Sequence, residues 1–224
     1  MATRRKSRRV REPLSRERIE NAALDLIESD GLHNLSLRRL GAELEVEAMS
    51  LYHHFPSKAH LLDALVDRIL ADLDIPTTGS WEDRLRASLR SYRRVMSRYP
   101  NFAVYLLVHR MNTPPGLAFL DRVMLVFKDA GFEPPDAARF FRAVGYYVMG
   151  AVLDETAGYA RGPSTATPLS PEEEARRFPN IAEVGPYFKP LYLDVTFETG
   201  LTFLIEGIRR EAQAKKRTAH RSEA

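Results

Sequence analysis

The sequence contains no cysteine, which excludes disulfides, thiolate metal sites and cysteine nucleophiles together. It also has no apolar run near the length of a membrane span. Its basic N-terminus leads into no hydrophobic stretch, so neither a secretory signal nor a transmembrane anchor is expected. The expectation is a soluble cytoplasmic chain without a membrane partner. No period-2 strand pattern and no internal repeat is present. What remains is 224 residues with 44% hydrophobic content. That is enough to bury a core, either as one large helical domain or as a small domain on a larger one.

The net charge of +3 hides an uneven distribution. Residues 1–18 carry eight basic side chains against Glu12 and Glu17. Arg4, Arg5, Lys6, Arg8 and Arg9 form a disordered arm, residues 1–14, suited to following phosphates or entering a minor groove. A solvated tail that only aids solubility is the alternative.

The punctuation is that of an all-helical protein. Ser15 caps a first helix with Ile19, Ala22, Ala23, Leu26 and Ile27 at the 3.6 period, and Gly31 stops it. Leu35 and Leu40 flank the cap Ser36 as a hydrophobic staple. Ser57 caps a fourth helix carrying Leu61, Leu62, Leu65, Ile69, Leu70 and Leu73 and ending near Ile75-Pro76. Further helices are expected near 81–98, opened by the Ser80/Asp83 box, then at 102–109, at 114–129 after Thr113, from Pro134 to about 159, and at 191–213. Between Arg161 and Pro190 the pattern dissolves, with one short capped helix at Ser170-Pro171. That stretch, 161–189, is expected to be a mobile loop.

The most informative segment is Ser36–Lys58. It reads as two short helices joined by a tight turn, with Leu37, Leu40 and Leu44 in one stripe and Val46, Leu51 and Phe55 closing over it. That packing turns Met49, Ser50, Tyr52, His53 and His54 outward, toward a receiving surface such as a DNA major groove. The pattern Leu51-Tyr52-x-His54-Phe55-x-x-Lys58 resembles the tetracycline-repressor family of one-component transcriptional regulators, over about residues 15–65. Two positions depart from it. Glu45 stands where Gly is usual, at about 1–2 kcal/mol if the backbone is left-handed. Gly41 replaces Ala inside a helix, which costs about 0.5–1 kcal/mol unless the following helix comes close.

The resemblance implies an all-α fold with an N-terminal helix-turn-helix domain at 15–60. A shared helix joins it to a helical effector-binding and dimerisation domain at 61–224. It implies a repressor released from a palindromic operator when a small molecule binds. Glu47, Ala48, Met49, Ser50, Tyr52, His53 and His54 are the residues expected near bases. Ser36, Arg38 and Lys58 are expected at phosphates, Lys58 through its charge and the positive helix terminus. Glu47 could accept from a cytosine amino group, or act as a weak helix cap. His53 and His54 are adjacent and point about 100° apart, so they cannot share a metal as an i, i+4 pair.

Ala143–Glu155 and Phe197–Leu201 resemble the tetracycline repressor subgroup, in which the two corresponding helices of each subunit form a four-helix dimer interface. Small residues at Gly145, Gly150 and Gly200, with Phe197, Leu201 and Leu204, fit close helix approach. Packing within the chain is the alternative. A homodimer would read half-sites about 34–36 Å apart, with the fourth helix as the lever.

Effector-lining candidates are Tyr92, Phe102, Tyr105, Leu106, His109, Met111, Asn112, Phe119, Val123 and Phe127. The resemblance adds His109, five residues ahead of Pro114, at the position of a residue that helps bind the drug's magnesium. It also places Asp154 at a carboxylate acting through the partner, and Tyr146 where the family has a second polar His. An aromatic or polycyclic apolar ligand is expected, with no cofactor or resident metal; a metal-chelated effector is the alternative. An enzyme is not expected. His109, Asp154 and Glu155 are the sole nearby reactive groups, without a Ser elbow, a phosphate-cradling loop or a paired metal motif. An architectural DNA-binding protein leaves the large second domain unexplained.

Overall fold

The structure, a computed structural model, describes residues 13–109, 111–158 and 165–222. Arg4, Arg5, Lys6, Arg8 and Arg9 lie outside them. Among the described residues all regular structure is helical, and no helix is long and apolar enough to cross a membrane. The chain divides into two compact units between Leu65 and Val66.

In the first unit, α1 (Arg16–Asp30) starts where the Ser15 hydroxyl accepts from the Arg18 amide at 3.1 Å and stops at Gly31, φ 85°. A 3-10 turn at Leu32–Asn34, which the helical period does not announce, follows. It is closed by the Asn34 side-chain amide donating to the Asp30 carbonyl at 2.6 Å. Ser36 caps α2 (Leu37–Glu43), α3 is Ala48–Tyr52, and α4 (Lys58–Ala71) begins here and runs on into the second unit. Ile19, Ile27, Leu40, Leu51, Phe55 and Leu61 are fully buried, each contributing roughly 1.5–3 kcal/mol of burial. The staple pair Leu35 and Leu40 is buried as well.

In the second unit α4 ends at Ala71, earlier than its apolar pattern suggests. Asp72 and Leu73 close tighter turns on Ile69 and Leu70 instead of continuing. The Ser80 box opens α5 (Trp81–Met96), with the Asp83 amide donating to Ser80 at 3.1 Å and the Ser80 hydroxyl donating back to the Asp83 carboxylate at 2.6 Å. α6 spans Pro100–Val108, so Pro100 starts this helix rather than breaking the one before. α7 (Pro114–Asp129) and α8 (Pro134–Ala157) lie as the prolines indicate.

The stretch expected as a loop at 161–189 holds two short helices. α9 (Pro171–Arg177) is capped by Ser170, and α10 (Pro179–Val184) starts at a second N1 proline. α11 runs from Leu193 to Ser222, past the expected end near 213. The Glu-, Ala- and Lys-rich tail has high helix propensity and no breaker. Leu85, Phe102, Phe127, Val152, Leu201 and Ile205 form the core. The buried Arg84 guanidinium is neutralised by Asp129 and donates through Nε to the Pro76 carbonyl at 2.9 Å.

Candidate functional site

The helix-turn-helix is held at backbone contact. A Cβ on Gly41 would stand 2.9 Å from the Val46 carbonyl oxygen and 3.2 Å from the Ala48 nitrogen. The Val46 amide also donates to the Gly41 carbonyl at 2.9 Å. Only Gly fits there without a shift, which accounts for its use inside α2. Glu45 has φ 54° and is the sole non-glycine with positive φ among the described residues, so the turn keeps its left-handed step with the wrong residue for it.

α3 buries Leu51 beneath the same unit and turns the rest outward. Met49 is 69% exposed, Tyr52 47%, and Ser36, Arg38, Glu47 and His53 are exposed as well. Ala48, Ser50 and His54 are half-buried. Glu47 occupies the N-cap position of α3 but its side chain makes no capping bond.

Two cations brace this motif. The Arg16 guanidinium donates to the His54 carbonyl at 2.9 Å and lies 4.3 Å from the Phe55 ring centroid, placing positive charge on the carbonyl end of α3. The Lys58 amine donates to the carbonyls of Leu35 at 2.7 Å and Leu32 at 3.3 Å. It is therefore a structural tie in the free chain, with one of its three N–H groups left over.

In the second unit a cavity of about 110 Å³ lies among four helices. α5 contributes Leu85, Ser88, Leu89 and Tyr92, α7 gives Phe119 and Val123, and Leu107 and Met111 line it as well. α8 supplies Phe141, Val144, Gly145, Val148 and Met149. Of the sequence candidates, Tyr92, Met111, Phe119 and Val123 line it. Phe102, Leu106 and Phe127 are instead fully packed core. Tyr105 and His109 stack in a ladder on Phe102, with centroids 5.2 and 5.1 Å apart, off the cavity wall. Asn112 is exposed. Tyr146 and Asp154 line a separate surface groove with Tyr147, Glu155 and Phe197. The α8 contribution was missed, although its 3, 4, 7, 8 spacing from Phe141 is the signal that finds it.

Polar groups are scarce in the cavity. The Ser88 hydroxyl donates to the Arg84 carbonyl at 2.7 Å. The Tyr92 hydroxyl has no hydrogen-bond partner among the described residues, and burial pushes its pKa up to about 12. Close to Met111, the Thr113 hydroxyl accepts from the Gly116 amide at 3.2 Å, capping α7, and donates to the Asp67 carboxylate on α4.

Three of the residues expected at a subunit interface are used within the chain. Phe197 and Leu201 are buried, and a Cβ on Gly200 would meet the Tyr147 ring at 2.6 Å. Tyr147 stacks on Phe197 at 5.5 Å and donates to its carbonyl at 2.6 Å. Beside them Arg93 binds Glu155 at 2.6 Å and Asp194 at 2.7 Å. Leu204 is half-buried, and Gly145 and Gly150 face open space. The exposed apolar groups of α8 and α11 are Tyr146, Leu153, Val195 and Phe203, the last 72% exposed.

Residues 19–65 match the family described as bacterial regulatory proteins, tetR family. Residues 75–212 match the family described as tetracyclin repressor-like, C-terminal domain. The tetracycline repressor protein class A from transposon 1721 of Escherichia coli is 32% identical over 198 residues, covering 84% of this chain and 87% of the relative. A possible TetR family transcriptional regulator from Streptomyces coelicolor superposes with a TM-score of 0.71 at 29% identity, over 88% of this chain and 99% of that one. ActR from the same organism, in complex with actinorhodin, superposes with a TM-score of 0.68 at 27% identity, over 90% and 99%.

Proposed function

The chain belongs to the tetR family of bacterial regulatory proteins and is a ligand-responsive DNA-binding transcriptional repressor, and from that premise we propose how it takes hold of an operator and lets go. α3 enters a major groove with Met49, Ser50, Tyr52 and His53 toward base edges, and Glu47, Ala48 and His54 at its margins. Ser36, Arg38, the remaining N–H of Lys58 and the arm Arg4, Arg5, Lys6, Arg8 and Arg9 meet phosphates. The observation that carries this is the row of exposed side chains on a short helix whose other side is anchored through Leu51. Isolated in water, Met49 and Tyr52 gain nothing from that exposure.

Two copies associate through the exposed apolar groups of α8 and α11, Tyr146, Leu153, Val195 and Phe203. The pair reads a palindrome with half-sites about 34–36 Å apart. The effector occupies the cavity among α5 to α8. A shift of Met111 in its wall reaches Asp67 through Thr113, and α4 carries it toward its own first turn in the DNA-reading unit. The cavity residues do not fit a metal chelate, since His109 is not among them and Asp154 lines another groove. The effector is metal-free, and the protein works in the cytoplasm with no cofactor.

Footprinting on the DNA upstream of its own gene tests the DNA-binding part. Protection of two symmetric half-sites one helical turn apart is expected. Protection indifferent to sequence at physiological salt, or a stable monomer in solution, overturns it.

A further inference from the structure

We propose that the cavity selects an uncharged, single-ring aromatic effector bearing one hydrogen-bond acceptor, which the Tyr92 hydroxyl receives, and that this effector enters past Gly145. The proposal rests on the reading of the cavity as the effector site and deepens it.

Charge is excluded by the walls. Among the described residues none of the lining side chains is Asp, Glu, Lys, Arg or His, and an ion moved there would lose its hydration with no partner among them in return. The polarity available is two hydroxyls one helical turn apart on α5. The Ser88 proton is already given to the Arg84 carbonyl, so that oxygen only accepts. Tyr92 holds the unspent donor, since its hydroxyl has no partner among the described residues. That hydroxyl is half-buried rather than sealed off, so a ligand carbonyl or ether oxygen that accepts from it gains the modest net worth of one hydrogen bond.

Size sets the remaining term. An apolar cavity of about 150 Å³ holds a benzene ring, so about 110 Å³ admits one substituted ring only as the walls ease outward toward the mouth, and excludes a fused polycycle. The way in is marked by Phe141, Gly145 and Met149, which line both this cavity and a surface groove of about 380 Å³ beside Met124 and Tyr146. No atom lies within 4 Å of the place a Cβ on Gly145 would take. That missing side chain leaves the mouth open.

The test uses the full-length chain in calorimetric titrations with acetophenone, isopropylbenzene, its near-isostere without the carbonyl, and benzoate. Acetophenone is expected to bind about fivefold tighter than isopropylbenzene, the size of one net hydrogen bond, and benzoate not at all. Tyr92→Phe is expected to bring the ratio of acetophenone to isopropylbenzene affinity to about one, which a general packing defect, weakening both alike, would not do. Gly145→Leu is expected to abolish uptake of both neutral probes with the helical circular dichroism intact. A ketone preference that survives Tyr92→Phe, benzoate binding as well as acetophenone, or unimpeded uptake by Gly145→Leu overturns the proposal and leaves the effector-site reading standing. Failure of both neutral probes to bind the unmodified chain overturns both.

Discussion

Glu45 and Gly41 carry opposite misfits that the structure separates. At φ 54° the Glu45 side chain crowds its own backbone, and Glu45→Gly is expected to raise stability by about 1 kcal/mol, net of glycine's greater freedom when unfolded. Thermal denaturation of the pair of proteins checks it, a lower midpoint for the variant being the contrary result. Gly41→Ala would ordinarily strengthen a helix. Here the new methyl stands 2.9 Å from a carbonyl oxygen of the next segment, so the midpoint falls and operator affinity with it. Tyr92 adds a pH signature. Its folded pKa is raised to about 12 from 10.0 by burial, so above pH 10 the unfolded chain releases a proton that the folded chain retains. Stability attributable to the neutral phenol is therefore full below pH 10 and is lost between about 10 and 12. Tyr92→Phe should show a shallower fall of unfolding free energy over that range. The hydroxyl caps Ser15, Ser36, Ser80, Thr113 and Ser170 were legible in the sequence because a cap and its target lie three residues apart. The Lys58 tie was not, since its carbonyl partners lie 23 and 26 residues away.

In the proposed DNA contact, helices α3 and α4 divide the work by chemistry. Lys58→Ala is expected to weaken binding to all sequences alike and to lower the salt slope by about one unit, while also loosening the Leu32–Leu35 turn it ties. Ser50→Ala or His53→Ala should instead change base preference at one position of each half-site, with the salt slope kept. Competition binding against single-base operator variants, repeated at several salt concentrations, separates the two patterns; identical patterns would refute the division. The same contrast of local and distant information explains what the sequence disclosed of the second unit. α5, α7 and α8 were legible because Ser, Thr and Pro mark their starts. α10 was not, because Pro179 in a run of Gly, Pro and polar residues reads as a breaker although it opens a helix. The cavity wall was half legible: the α5 and α7 aromatic and aliphatic positions point inward by period, whereas Phe102 and Phe127 share that period and are simply core.

Assembly and switching belong to the molecule entire. Phe203→Asp combined with Tyr146→Asp places charge on the exposed apolar groups of α11 and α8 without touching the Tyr147–Phe197 stack behind them. Sedimentation should show a folded monomer, and operator binding should drop by orders of magnitude as half the contacts vanish; a persistent dimer would place the interface elsewhere. Asp67→Asn should keep effector affinity but diminish the release of operator on saturation, measured as the ratio of operator Kd with and without effector. Recognition of the family rested on Ser36–Lys58 because a groove-reading element is compressed into about twenty contiguous residues, while a subunit interface is spread over helices fifty residues apart. One oxygen atom joins α7 to α4 within the second unit. Thr113 Oγ1 fastens the first turn of α7 and grips Asp67 with the same hydroxyl, so that turn cannot unwind by degrees while α4 stays clamped. The latch opens as a unit, and a serine there, able to make both bonds, should leave it working where valine would leave it permanently undone.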